Sequence, residues 1–128
     1  MSDAIKHECG IALLKLKKPL DFYLKKYGTA LYGLNKMYLL MEKQHNRGQD
    51  GAGLANIKFN VEAGTRYISR HRSVKNQPIK DIFSYINKRF ETLHEDAPEK
   101  LNDVEYLKAN EAFTGELFLG HLRYGTFG

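Results

Sequence analysis

Cys9-Gly10-Ile11-Ala12-Leu13-Leu14-Lys15-Leu16 is a nearly continuous apolar run that ends at Lys17-Lys18-Pro19. Such a run predicts a strand buried on both faces, or close to it, in the interior of a sheet. From position 29 the pattern changes. Ala30, Leu34, Met37, Tyr38 and Met41 recur at helical spacing up to Gln44 and His45. The helix is expected to stop at Asn46-Arg47-Gly48-Gln49-Asp50-Gly51-Ala52-Gly53, whose glycines allow tight turns and close backbone approach. Extended segments are expected at 54–59 and 65–70, joined by a turn at Glu62-Ala63-Gly64.

Pro78 marks a helix start, and Ile79, Ile82, Phe83, Ile86, Phe90 and Leu93 form one apolar stripe. Asp96-Ala97-Pro98-Glu99 reads as an N-cap with a capping-box glutamate, opening a shorter helix through Leu101, Val104 and Leu107. Glu116-Leu117-Phe118-Leu119-Gly120-His121-Leu122 is a further strand, running into Arg123-Tyr124-Gly125-Thr126-Phe127-Gly128. The order strand, helix, two strands, two helices, strand predicts an α+β layered domain.

With 128 residues, 42% of them hydrophobic, the chain has material for one compact domain and too little for two. It contains no apolar run of the roughly 20 residues that span a bilayer, and no signal-peptide h-region, so a cytoplasmic location without membrane partners is expected. The 20 Lys and Arg against 15 Asp and Glu, a net charge of +5, are spread along the chain and accompany no nucleic-acid-binding signature. A solvated surface explains them, and no nucleic-acid partner is expected.

The single cysteine, Cys9, can form neither an internal disulfide nor a thiolate metal site. A lone cysteine in an arbitrary chain is more often a small buried apolar residue. As a nucleophile it needs a base, since a thiol of pKa about 8.5 is little ionised at neutral pH. At the start of a chain, its own α-amino group, with a pKa of about 8, supplies that base. The leader 1–8 would have to be removed first. His45 and His121 lack matching carboxylates or thiols, so no metal is expected. His7, His71 and His94 read as ordinary surface residues. The Gly48, Gly51 and Gly53 cluster follows a helix and so fits neither dinucleotide-binding nor P-loop geometry.

Cys9-Gly10-Ile11, the 44–53 segment and Gly120-His121-Leu122-Arg123-Tyr124-Gly125-Thr126, in that order, resemble the class II glutamine amidotransferase domain. The Arg47-Gly48-Gln49-Asp50 form, with a leader before the cysteine, is most similar to the amidophosphoribosyltransferase family. The resemblance implies an N-terminal-nucleophile hydrolase fold, an αββα sandwich of two antiparallel sheets between helical layers, of which 9–128 is the N-terminal portion. It implies catalysis by Cys9 through a glutamyl thioester, with glutamine as substrate. Arg123 would clamp the substrate carboxylate, Thr126 would add polar contacts, Arg47 and Gly48 would line the pocket, and Tyr124 would support its wall.

Ammonia would pass to a phosphoribosyltransferase domain that binds phosphoribosyl pyrophosphate with Mg2+, in purine biosynthesis and in a homo-oligomer. This portion would itself hold no cofactor, and one cysteine cannot bind an iron–sulfur cluster. The 77–112 stretch looks like a helical insertion, serving subunit or domain contacts or decorating the surface. The family's oxyanion-hole Asn-Gly pair and amino-group-binding acid lie downstream of the Arg-Tyr segment. Losing an oxyanion donor costs about 10²- to 10³-fold in rate, so the resemblance implies a truncated domain with no useful glutaminase activity alone. Rival readings are another class II amidotransferase, of sugar-phosphate aminotransferase or glutamate synthase type, and a non-catalytic interaction module on the same scaffold.

Overall fold

The apolar run at the start of the chain forms β1 (Cys9–Lys15), and it lies at an edge. The computed structural model describes residues 9–44 and 49–124. In it β1 pairs antiparallel with β4 (Leu117–Tyr124), β4 with β2 (Gln49–Ile57), and β2 with β3 (Ile68–Ser73). The strand order β1-β4-β2-β3 makes one four-stranded antiparallel sheet, and with its helices the protein is α+β.

The expectation that β1 is buried on both faces is corrected here. Ala12 and Leu16 are buried, but Ile11 and Leu13 are 67% and 64% exposed. Side chains alternate across a strand, and the helices cover only the face that Ala12 shares. A continuous apolar run reports the character of both faces and cannot report whether each is covered.

Two helices pack on the covered face, and a third packs on one of them. Helix α2 (Tyr32–Lys43) sets Met37 and Met41 against Gly120 of β4, where a Cβ would stand 2.7 Å from the Met41 sulfur. Helix α3 (Pro78–Asp96) begins at the expected proline and buries the whole expected stripe, from Ile79 to Leu93. It packs on β2 and β3, so this part of the 77–112 stretch is a layer of the core and not surface decoration. Helix α1 (Leu20–Tyr27) was not expected, because eight residues show barely two turns of periodicity. It closes with Gly28 in the left-handed region, φ 82°, whose N–H reaches Leu24 C=O at 2.9 Å. Its Tyr23 and Tyr27 stack with Tyr32 of α2, Tyr27 to Tyr32 at 4.2 Å between ring centres.

Other boundaries move. The capping box expected at Asp96 is replaced by a short 3-10 helix, Pro98–Asn102, followed by α4 (Val104–Asn110). There Asp103 is the N-cap, accepting from Tyr106 N–H at 3.0 Å. Gly51 and Gly53, expected in a turn, lie in strand β2, and β3 begins three residues later than the sequence pattern suggests.

The end of the sheet near α4 is held by buried polar groups. Asn56 is wholly buried; its Nδ2 donates to Gly115 C=O (3.2 Å) and Leu117 C=O (3.1 Å), and its Oδ1 accepts from Gly115 N–H (2.7 Å). Gly115 has to be glycine there, since a Cβ would stand 2.3 Å from Ile57 O. Glu116 accepts from Phe59 N–H at 2.9 Å and pairs with Lys108, which also donates to Phe59 C=O. Lys58 donates to Lys108 C=O at 2.7 Å, and burial pushes its ammonium pKa down. Glu111 takes both Arg89 Nε (2.8 Å) and Nη2 (2.6 Å), and those bonds hold its carboxyl below the ordinary range.

Replacing Asn56 by Leu strands buried groups at about 1–3 kcal/mol each. Asn56→Leu is therefore expected to lower stability by about 3 kcal/mol, read as a lower urea midpoint. The depressed Glu111 pKa gives stability that is fully present above the ordinary carboxylate range and is lost as pH falls through the folded value. Glu111→Gln removes that contribution, so its thermal midpoint is expected to fall less than the parent's on acidification below about pH 5.

Candidate functional site

The register of the sheet brings three distant stretches of sequence to one end. Cys9 lies opposite Arg123 across β1 and β4, Gly51 lies opposite Arg123 across β2 and β4, and Gln49 lies opposite Tyr124. These positions belong to the three segments that carry the resemblance. A β-bulge between Gln49 and Gly51 places Asp50 out of register. Cys9 and Tyr124 are placed by their backbones; the predicted Arg47, Gly48 and Thr126 lie outside the described residues.

The hydrogen-bond pattern adds to this. Leu16 N–H donates to Glu116 C=O at 2.8 Å, so the bonded pairs are those at even positions of β1. Cys9–Arg123 falls between them, in the kind of pair whose Cα atoms approach to about 4.5 Å. Arg123 is exposed and makes no ion pair or hydrogen bond among the described residues. A guanidinium left with its donors unused is suited to a planar carboxylate, which it binds with two parallel bonds.

From this end the uncovered face of the sheet continues as a groove of about 720 Å³. Ile11, Leu119, His121 and Arg72 flank it, and Gly53 opens its floor. The His121 ring lies over the glycine, 2.8 Å from where a Cβ would be. Gln44 ties the helical layer to this edge by donating from Nε2 to Ile11 C=O at 2.9 Å. The paired positions of the face include the cations Lys15, Arg70, Arg72 and Arg123 and no carboxylate. Among the described residues no three of His, Cys, Asp and Glu meet in a way that could hold a metal ion. No helix among them is long and apolar enough to cross a membrane.

Sequence reading singled out Cys9 and Arg123 but not their adjacency, which only strand register supplies. It passed over Arg70 and Arg72, although their i, i+2 spacing within a short strand is the signal that puts two cations on one face. His71, read as an ordinary surface residue, is partly buried on the other face, its ring stacked on Tyr85 at 4.0 Å between centres.

No protein-family model, curated protein or solved structure matches this chain.

An exposed side chain with no ion pair or hydrogen bond among the described residues carries little of the fold. Arg123→Ala is expected to leave the thermal midpoint within the range of a change of about 0.5 kcal/mol. A melting curve comparing it with Asn56→Leu separates the residue available for binding from the residue that holds the sheet.

Proposed function

We propose that this chain carries the nucleophile-bearing sheet of a class II glutamine amidotransferase of the amidophosphoribosyltransferase type, with Cys9 as nucleophile and Arg123 as the clamp for the substrate α-carboxylate. The observation that carries the reading is the convergence of Cys9, Gly51 and Arg123 at one end of the sheet. A glycine on the far side of Arg123 from the cysteine leaves room for a substrate, and the exposed guanidinium supplies a fixed positive charge for it. The layered arrangement also suits this reading. One antiparallel sheet with helices on one face and a second face that exposes Ile11, Leu13 and Leu119 is compatible with half of an αββα sandwich, the architecture of N-terminal-nucleophile hydrolases.

The chemistry follows from these groups. Removal of residues 1–8 turns the Cys9 amide nitrogen into an amine, which takes the thiol proton. The thiolate attacks the side-chain amide carbon of glutamine; the C–N bond breaks, and the departing nitrogen takes a proton and leaves as ammonia. Water then cleaves the Cys9 thioester, giving glutamate and the free thiol. Arg47, Gly48, Tyr124 and Thr126 complete the pocket in this reading. Ammonia goes on to a phosphoribosyltransferase domain, where it displaces pyrophosphate from phosphoribosyl pyrophosphate in purine synthesis. That sugar phosphate and its Mg2+ belong to the second domain, and no residue of this chain is assigned to them. The reading places the protein in the cytoplasm.

Intact mass of the protein expressed from its complete gene tests the proposal, before and after treatment with a diazo-ketone analogue of glutamine. Loss of the leader and a single adduct at Cys9, abolished by Cys9→Ala and reduced at least about tenfold in rate by Arg123→Ala, is the expected result. An uncut, active protein, or an adduct that is indifferent to Arg123, overturns the mechanism.

A further inference from the structure

The sheet has a second edge, β3, and its backbone is open. Lys58 N–H donates to Tyr67 C=O at 2.9 Å. Continued along the register, that ladder bonds Ser69, His71 and Ser73 to β2 and turns the backbone groups of Ile68, Arg70 and Arg72 outward. Arg66 Nε takes the Ile68 carbonyl at 3.2 Å. The amide and carbonyl groups of Arg70 and Arg72 have no partner among the described residues.

Helix α3 runs beside this edge, and a trough of about 420 Å³ lies between the two. One wall is aromatic: Tyr85 of α3, 62% exposed, stacks on His71 of β3 with ring planes 3° apart. The trough is lined by Arg66, Arg70 and Lys88, none of which has an acidic partner among the described residues. Its carboxylate, Glu111, is already bound by Arg89 through both oxygens.

We propose that the β3–α3 trough is a docking site for an acidic protein segment in extended conformation, which adds to the sheet as a strand beside β3. An open edge next to a helix, with a trough between them, is the geometry of strand addition: backbone bonds give affinity, and side chains at alternate positions give selectivity. The charge pattern chooses the occupant. A second copy of β3 would set arginines against arginines, which like-charge pairing across strands disfavours. A nucleic acid would satisfy the cations and offer nothing regular to the outward carbonyl and amide groups. An acidic strand satisfies both. The proposal is independent of the glutaminase reading, since it uses neither Cys9 nor Arg123.

The test uses the whole chain and a fluorescent peptide of about ten residues alternating Glu and Val, long enough to cover β3. Fluorescence anisotropy is expected to show binding, with slowed hydrogen exchange at the Arg70 and Arg72 amides. N-methylation of alternate peptide amides, on the edge that would meet β3, leaves the protein untouched and is expected to weaken binding at least about tenfold. Arg70→Glu combined with Arg72→Glu is expected to do the same with an unchanged circular dichroism spectrum. Absence of binding overturns the proposal. So does equal binding of the N-methylated peptide, or equal protection of the same amides by a single-stranded oligonucleotide, because either reduces the trough to a patch of charge.

Discussion

The side-chain amide of Asn56 fixes the alignment on which the candidate site depends. Buried in β2, it bonds to Gly115 and Leu117 where β4 begins, and so fixes which residue of β4 stands beside which residue of β2. The absent Cβ of Gly115 allows the approach, and the Lys108–Glu116 pair closes over the same corner. Sheet register propagates without loss along a regular ladder. An alignment set at Leu117 therefore decides that Arg123 arrives opposite Gly51, while the separate pairing of β1 with β4 sets Cys9 on the other side of Arg123. A slip of one residue would turn Arg123 toward the helices and Leu122 toward solvent. The Gly51–Arg123 pair of the candidate site is thus aligned by a buried amide at the opposite end of the sheet.

The two faces of the sheet divide the labour. Met37, Met41, Phe118 and Leu122 sit with the α3 stripe on the covered side, where burial of apolar surface supplies the main stabilising force. Of the carboxylates near the sheet, Glu111 and Glu116 are bound to Arg89 and Lys108. The cations of the other face and of the β3 edge are left without such partners. The cations on these two surfaces that are unpaired among the described residues are what the carboxylate-clamp and acidic-strand proposals use.

What could be read from the sequence follows the reach of each signal. Helix α3 spans about five turns and starts at a proline, so its periodicity was legible and its stripe residues are the buried ones. Helix α1 is too short for periodicity to register. Gly51 and Gly53 carry the marks of a turn, yet they belong to a strand, and the groups that crowd them, Ser73 O beside Gly51 and the His121 ring over Gly53, are distant in sequence. The edge position of β1 was hidden for the same reason: Ile11 and Leu13 are as apolar as Ala12 and Leu14, and only the layout of the helices leaves them bare. Cys9 and Arg123 were legible as residue types in a pattern. Their adjacency was not, since it rests on the register of β1 against β4, strands more than 100 residues apart in sequence that no local motif aligns.

The most direct measurement of the central claim exploits the single cysteine. Arg123→Cys introduces one partner for Cys9, and cross-strand residues at this separation suit a disulfide. Mild oxidation is predicted to close a Cys9–Cys disulfide within the Arg123→Cys chain, seen as a faster-migrating monomer reversed by reductant, and to leave the Leu122→Cys chain open because that residue lies on the helix-covered face. Closure in the Leu122→Cys chain, with none in the Arg123→Cys chain, would contradict the register and with it the site.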